Sequence, residues 1–189
     1  MRYPVFFLMG SLIFSGCAVS THEGVKTTRE YRYKQVLVLP FTQGDEAQRN
    51  LATHTFREEL KTFSEITLIE EKLIDPRIIE ELGITHPDSY GTLDFAESPE
   101  ANHRRQQLAQ EFSVQAIVFG SFFIEGQHIY LYIQMMDVQT GIVILSFSKE
   151  AQIADNTADA TIVNLAKECA QRVIAHIKDN VSITSFYQN

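Results

Sequence analysis

Residues that could carry out chemistry are few in this 189-residue chain and lie far apart along it. No motif that binds phosphate or a dinucleotide, carries a nucleophilic serine or holds catalytic zinc occurs in the sequence. His103 precedes two arginines, a pattern typical of a solvated basic turn. The six histidines occur singly, without the spacing of metal ligands: His22, His54, His86, His103, His128 and His176. We therefore predict no catalytic residue, no metal site and no cofactor.

Three carboxylates, Asp94, Glu97 and Glu100, form an acidic cluster that could bind calcium. They lack the alternating carboxylates and central glycine of an EF-hand loop, which favours a solvated loop instead. Asp137 precedes a glycine-containing turn, and we expect it to stabilise that turn rather than to catalyse a reaction. Cys169 lies in the apolar stripe of the last predicted helix, where its expected role is that of a small buried hydrophobe.

Cys17 has surroundings that predict a definite covalent modification. It follows a positively charged start, an apolar run from Val5 to Phe14 and the small pair Ser15-Gly16. This is the layout of a secretory signal. A transmembrane helix would need about 20 apolar residues. Phe14-Ser15-Gly16-Cys17 resembles the bacterial lipobox, in which the cysteine is acylated before cleavage, although the motif most often has Leu where Phe14 stands.

The lipobox resemblance implies that residues 1–16 are a signal peptide and that Cys17 carries the lipid, palmitate included. Two or more acyl chains anchor a protein stably, whereas one is marginal. Ala18 rather than Asp follows the cysteine, and by resemblance to enterobacterial sorting rules this favours the outer membrane, facing the periplasm. The alternative role for Cys17 is a disulfide with Cys169, the other cysteine of the chain.

Charge and composition indicate an ordinary globular protein. The formal net charge is −8, which disfavours broad nucleic-acid binding because that needs a basic face. We predict an acylated cysteine and polar tether over residues 17–34, a single α+β periplasmic domain over 35–180, and a tail over 181–189. A flexible tether of this length spans about 23 Å on average, which keeps the domain close to its membrane.

The pattern of apolar residues predicts alternating strands and helices in the first half of the domain. Pro76 would interrupt or start the second helix. Ser98-Pro99 is typical of a helix N-terminus. The predicted segments are strand Gln35–Phe41, helix Ala47–Phe63, strand Ile66–Ile69, helix Lys72–Leu82, loop Gly83–Glu97 and a helix from Ser98.

The second half contains the strongest strand signal. Residues 114–124, 128–138 and 142–150 are rich in β-branched and aromatic side chains, and short glycine-containing turns separate them. An apolar face over 162–177 predicts a final long helix. The expected fold class is therefore α+β, with one mixed sheet, a three-stranded antiparallel meander and packed helices.

Alternation along the middle strand of the meander divides its side chains between two faces. Ile129, Leu131, Ile133 and Met135 share one face, whereas Tyr130, Tyr132, Gln134 and Met136 share the other. The second face is too apolar for simple solvation, which predicts either a covering partner or helices on both sides. We expect a partner-binding surface drawn from Tyr130, Tyr132, Phe122 and Phe123.

Several segments together resemble the TolB N-terminal-like domain, over about residues 35–152. The matching features are alternating apolar residues, a glycine that ends a strand, and an Asp-x-x-Thr-Gly turn. They are V-L-V-L-P-F at 36–41, F-R-E-E-L at 56–60, I-T-L-I-E at 66–70, L-A-Q-E-F-S-V-Q-A-I-V-F-G-S-F at 108–122 and I-Y-L-Y-I-Q-M-M-D-V-Q-T-G at 129–141.

This resemblance extends to the CsgG-like group of outer-membrane lipoproteins, with a layout most similar to FlgO-type and PelC-type members. It implies a non-enzymatic structural or assembly component of an envelope machine, either a flagellar basal-body accessory or a secretion or export ring. We also expect a homo- or hetero-oligomer, because the short tether confines copies of the domain to one membrane plane and so raises their effective concentration. The alternative is a monomeric regulator that binds a periplasmic envelope enzyme or protein. A lipid-anchored hydrolase is disfavoured because no nucleophile–base pair is visible in the sequence.

Overall fold

The computed structural model of the chain describes residues 26–81, 99–153 and 157–186. The elements follow one another along the chain as an α+β arrangement. They are β1 (Lys26–Tyr31), β2 (Gln35–Val38), α1 (Glu46–Lys61), β3 (Thr67–Ile69), a 3-10 turn (Glu71–Leu73), α2 (Pro76–Glu81), α3 (Pro99–Glu111), β4 (Ala116–Glu125), β5 (His128–Asp137), β6 (Val143–Gln152), α4 (Ala158–Asp179) and β7 (Val181–Phe186).

A five-stranded mixed sheet has the strand order β3-β2-β4-β5-β6. The strand β2 is parallel to both of its neighbours, whereas β4, β5 and β6 form consecutive antiparallel pairs. The predicted α+β class and antiparallel meander are confirmed. The turns between the meander strands require positive φ at Gly126 and Gly141, which glycine adopts without strain.

The predicted tether and the predicted tail each contain a strand among the described residues. β1 and β7 pair antiparallel, from Lys26 opposite Phe186 to Tyr31 opposite Val181, as a separate two-stranded sheet. β1 is almost entirely polar, so the apolar pattern that predicts a strand is weak there. β7 alternates Val181 and Ile183 with polar residues, a strand signal that the predicted tail does not account for. Residues 18–25 of the predicted tether and the signal-peptide region lie outside the described residues.

The helix boundaries follow local signals. Asp45 caps α1, because its Oδ1 accepts hydrogen bonds from the backbone N–H groups of Ala47 (3.0 Å) and Gln48 (3.1 Å). Pro76 begins α2, so the single helix predicted over 72–82 is a 3-10 turn followed by a short α-helix. Pro99 begins α3 as predicted. The predicted loop Gly83–Glu97 lies outside the described residues.

Helices pack on both faces of the sheet. α1 and α4 cover one face, where Phe56, Leu165 and Val173 pack with the inward side chains of β4 and β5. α2 and α3 pack on the opposite face through Ile78 and Leu108. Among the described helices, none is both long enough and apolar enough to cross a membrane.

Candidate functional site

The candidate site is the half of the second sheet face that α2 and α3 leave uncovered. The apolar cluster beneath these helices includes Ile117, Phe119, Met136 and Val138, but not the side chains farther along β4 and β5. There the sheet surface forms a shallow groove of about 460 Å³, which we call the aromatic face. Its lining residues are Gln43, Ser121, Phe123, Tyr130, Tyr132 and Ser148.

Strand register places the outward side chains of β4, β5 and β6 in three neighbouring rows. Because successive side chains alternate between faces, each row is two residues from the next along every strand. The rows are Ser121, Tyr132 and Ser148; then Phe123, Tyr130 and Glu150; then Glu125, His128 and Gln152. The aromatic side chains are therefore flanked by hydroxyl groups on one side and by carboxylates on the other.

Two aromatic rings stack at the centre of this surface. The ring centroids of Phe123 and Tyr130 lie 4.9 Å apart, with 15° between the ring planes. Phe123 is 36% exposed, and both tyrosines are half-buried. The Tyr132 hydroxyl lies 2.8 Å from Ser146 Oγ. Burial raises the pKa of the Tyr130 phenol, and the nearby charges of Glu150 and Glu125 raise that pKa further.

Backbone geometry determines where the aromatic face begins. Thr42 N donates to Gly120 O and Phe122 N donates to Thr42 O, both at 2.9 Å, so the chain beyond β2 stays beside β4. Gln43 then adopts a φ of 63° and turns the chain towards α1, which places Gln43 at one wall of the groove. A Cβ at Gly120 would lie only 2.0 Å from the Tyr132 carbonyl oxygen, so no side chain fits there.

The expected surface role of Phe122 is wrong. Phe122 is opposite Leu131 on the covered face and is only 1% exposed, in the core beneath α1 and α4. Adjacent residues of a strand point to opposite faces, so Phe122 and Phe123 cannot share one surface. The structure brings together Phe123, Tyr130 and Tyr132. Their role in partner binding remains a prediction.

Asp137 lies at a second polar site, at the turn between β5 and β6. Its Oδ1 accepts hydrogen bonds from Thr140 N (2.8 Å) and Thr140 Oγ1 (2.9 Å). Its Oδ2 accepts from Arg32 Nη2 (2.8 Å) and the Tyr33 hydroxyl (3.1 Å). Burial opposes ionisation, but these donors and the Arg32 charge outweigh it and lower the pKa of Asp137. The turn-stabilising role predicted for Asp137 is confirmed.

Tyr33 and Arg32 are polar residues that sequence reasoning missed. Burial, followed by the Asp137 charge and the hydrogen bond to it, raises the pKa of Tyr33 to about 12. Both oxygens of the Asp137 carboxylate therefore accept hydrogen bonds from neutral donors, and one of them also accepts a hydrogen bond from the Arg32 cation. No spacing motif links these residues, because their contact depends on the parallel placement of β2 beside β4.

The same turn packs against a buried arginine of α3. Arg105 is only 4% exposed, and burial lowers the pKa of its guanidinium. A Cβ at Gly141 would lie 2.4 Å from Arg105 Cζ, so the glycine leaves room for this side chain. The expectation of a solvated basic turn is therefore wrong for Arg105, whereas His103 is exposed.

Cys169 and the possible metal ligands show no reactive arrangement. The Cys169 thiol is free and fully buried, and burial raises its pKa to about 12, as expected for a small core hydrophobe. Within the described part of the chain, no group of three or more His, Cys, Asp or Glu side chains could hold a metal ion. Cys17, Asp94 and Glu97 lie outside the described residues.

A second groove, of about 730 Å³, lies where β2 and β3 end, between α1 and α2. Its charged side chains pair with one another: Arg57 with Glu71 at 3.1 Å, and Lys61 with Glu58 at 2.7 Å. Arg57 Nη2 also donates to the Val38 carbonyl at 2.5 Å. These cations are engaged by carboxylates of the same groove, so the groove presents balanced charge.

Comparison with known proteins shows likeness in three-dimensional structure only. No protein-family model and no curated protein sequence matches the chain. The lipoprotein GNA1162 from Neisseria meningitidis matches with a TM-score of 0.47 and 14% identity, over 75% of this chain and 96% of that one. The PelC dodecamer from Paraburkholderia phytofirmans matches with a TM-score of 0.45 and 11% identity, over 77% and 92%.

The C-terminal domain of LpoB from Salmonella enterica gives a TM-score of 0.42 and 21% identity, over 65% of this chain and 84% of that domain. At these scores and identities, the likenesses concern the fold alone. One fold supports many unrelated functions, so activity and partners have to be argued from the residues of this chain.

Proposed function

We propose that this chain is a non-enzymatic outer-membrane lipoprotein that serves as a structural or assembly component of an envelope machine. Cys17 carries the lipid anchor, the domain faces the periplasm, and the aromatic face contacts protein partners. A flagellar basal-body accessory and a secretion or export ring are the settings we propose. Membership of the TolB N-terminal-like and CsgG-like group is part of the same proposal.

The observation that supports a contact role is the aromatic face itself. Phe123, Tyr130 and Tyr132 lie side by side on a rigid sheet, yet no helix of the described residues buries them. Aromatic side chains held by strands contribute contact area without a large loss of conformational entropy, and they dominate the energetics of many interfaces. Exposed aromatic side chains that lie side by side in this way favour a partner contact.

The buried reactive groups support a non-enzymatic role. The Asp137 carboxylate already accepts four hydrogen bonds from its own chain, so it is not poised to take a proton from a substrate. The Cys169 thiol is inaccessible, and its raised pKa keeps it protonated at neutral pH. Both groups therefore stabilise the fold.

The small size of the aromatic face favours a second candidate, a monomeric regulator of an envelope enzyme or protein. The three rows of outward side chains on β4, β5 and β6 cover an area of only about 200 Å², as calculated from the usual spacing between strands and the usual rise per residue. A stable interface buries about 800 Å² on each partner. The aromatic face would thus form a transient contact by itself, or the centre of a larger interface.

Extraction of the full-length acylated chain in detergent tests the proposal. Light scattering and native pull-downs should show an oligomer or co-purifying envelope proteins. A monomer that captures one partner transiently would favour the regulator, and a monomer that captures none would contradict both roles. Genes for flagella, polysaccharide export or cell-wall synthesis beside this one would distinguish the settings.

The anchor is tested separately. Cys17→Ser should lose the acyl mass and move the protein out of the membrane fraction, because the thiol is the acylation site. Cys169→Ala is the matched control, since it removes the other cysteine and should leave the membrane fraction unchanged. Equal membrane partition and mass for Cys17→Ser would defeat the lipoprotein hypothesis.

A further inference from the structure

We propose that the aromatic face binds a basic segment of another envelope protein, in extended conformation, whose Lys or Arg side chains lie beside Glu150 and reach towards the ring of Tyr130. The inference rests on the contact role proposed above and adds the chemistry of the bound segment. The evidence for it is the arrangement of carboxylates and stacked aromatic rings in the rows of side chains that line and border the groove.

The outward surface of the meander contains carboxylates but no Lys or Arg. The whole chain has 16 Lys and Arg residues, so their absence here is a property of this surface rather than of the composition. Glu125 and Glu150 are the acids, and His128 Nδ1 lies 2.5 Å from Glu150 Oε1. The nine outward positions of the three uncovered rows are Ser121, Phe123, Glu125, His128, Tyr130, Tyr132, Ser148, Glu150 and Gln152.

The stacked rings add a second attraction for a cation. The face of an aromatic ring is electronegative and attracts a Lys or Arg group within about 6 Å of its centroid. Phe123 and Tyr130 lie in the same row as Glu150, and Glu125 is in the next row, so ring and carboxylate attract the same cation. Burial and these two acids raise the pKa of Tyr130, which is consistent with a negative electrostatic potential at this surface.

Two other aromatic side chains, Phe147 and Phe63, are covered by cations of the same chain. Arg172 lies over Phe147 with its Cζ 4.4 Å from the ring centroid. Lys178 lies over Phe63, with its Nζ at 4.9 Å. On the aromatic face, the outward positions of the meander supply no Lys or Arg for Phe123 and Tyr130; the neighbouring ring is that of His128, whose centroid lies 6.3 Å from that of Tyr130. A partner can supply the cation.

The sheet edge explains why the bound segment is extended. β6 is the last strand of the five-stranded sheet, and on its outer side no other described strand pairs with it. A segment added along β6 would lie about 4.8 Å away and form main-chain hydrogen bonds. Every second side chain would then project beside Ser148 and Glu150, next to the groove. Alternating basic residues fit this arrangement.

Fluorescence anisotropy with the full-length acylated protein in detergent tests the inference. The probe is a labelled seven-residue peptide that alternates Lys and Thr, and the companion peptide has norleucine at each Lys position. The Lys peptide should bind, and its affinity should fall as salt rises. Glu150→Gln and Tyr130→Leu should each weaken binding by about three- to tenfold, since an ion pair and a ring contact are lost.

Glu65→Gln is the matched control, because it removes an equal charge from an exposed site on the turn before β3. It should leave the affinity unchanged. Equal binding of the norleucine peptide, or equal loss in Glu65→Gln and Glu150→Gln, would overturn the inference. Displacement of the Lys peptide by a chito-oligosaccharide would indicate that the aromatic face binds a glycan, and this would also overturn the inference. Self-association of the protein through this face would overturn the inference as well. It would show as an oligomer that Tyr130→Leu dissociates and that the Lys peptide does not.

Failure of this inference is distinguishable from failure of the proposed function. If native pull-downs capture envelope partners and Tyr130→Leu releases them, the contact role holds even when the Lys peptide does not bind. In that case only the basic character of the segment is rejected. If neither peptide nor partner binds, both proposals fail.

Discussion

Arg32 and Asp137 are 105 positions apart in the sequence, yet Arg32 Nη2 lies 2.8 Å from Asp137 Oδ2. The contact joins the segment that enters β2 to the turn between β5 and β6, across the parallel pair of β2 and β4. Tyr33 donates to the same oxygen, and Thr140 occupies the other one. A single carboxylate therefore links the N-terminal part of the domain to the meander.

Loss of this carboxylate should destabilise the domain. We expect Asp137→Asn to lower the free energy of unfolding by about 1–3 kcal/mol, because a nearly buried charged acceptor is replaced by an amide that mismatches two donors. Urea unfolding at pH 7 measures the change. Glu65→Gln, at an exposed carboxylate, should leave the midpoint within error. A similar loss in both variants would contradict a specific role for Asp137.

The same carboxylate makes stability depend on pH in the acid range. Its folded pKa is below the ordinary value of 3.8, so its stabilisation is present above that value and is lost as pH falls through the lower folded pKa. The stability difference between wild type and Asp137→Asn should therefore shrink from pH 5 downward. The urea unfolding midpoints of both proteins at several acid pH values measure this stability difference. A difference that stays constant across the range would show that ionisation of Asp137 does not contribute to stability.

Gly120→Ala should disturb the pairing of β4 and β5. Its Cβ would lie 2.0 Å from the Tyr132 carbonyl oxygen, which belongs to the backbone and cannot move without bending the ladder. We expect a loss of about 1–3 kcal/mol, as in overpacked cores. Gly126→Asn is the control, because nothing lies within 4 Å of that position and Asn tolerates its positive φ. Thermal unfolding of both variants measures the loss of stability. Equal unfolding midpoints for Gly120→Ala and Gly126→Asn would contradict the clash at Gly120.

The thiol count tests burial and acylation together. Cys169 is fully buried and its pKa is about 12, so it should not react with a disulfide reagent at pH 8 until the protein unfolds. Cys17, if acylated, contributes no thiol. The purified membrane form should thus show no reactive thiol when native and one in denaturant. Two thiols in denaturant would show that Cys17 is unmodified, and rapid native reaction would show that Cys169 is accessible.

Charge introduced on the aromatic face should disrupt assembly without unfolding the domain. Tyr130→Asp or Tyr132→Asp places a carboxylate in the centre of the proposed contact but leaves the opposite, covered face intact. Light scattering should report a smaller particle, while circular dichroism stays unchanged. Leu73→Asp alters an apolar side chain that is 63% exposed elsewhere and should keep the assembly. An unaltered assembly in both tyrosine variants would remove the aromatic face from the contact.

The sequence by itself determined the elements whose signals are local. The meander, α1 and α4 follow from periods of two and 3.6 residues, and Asp45, Pro76 and Pro99 set helix starts through caps and fixed φ. The division of β5 into an apolar face and a tyrosine face also follows from alternation alone. The same rule already placed Phe122 opposite Phe123, which is why only one of them reaches the surface.

Tertiary structure alone decided the relationships between distant segments. β1 is a polar strand that pairs with β7 because β1 enters β2 beside the end of α4, where Arg32 N donates to Asn180 O. Arg32 and Tyr33 reach Asp137 through the parallel placement of β2. The extent of the aromatic face depends on how far α2 and α3 reach across the sheet. Such contacts arise from chain topology, and no short window of residues contains the information that forms them.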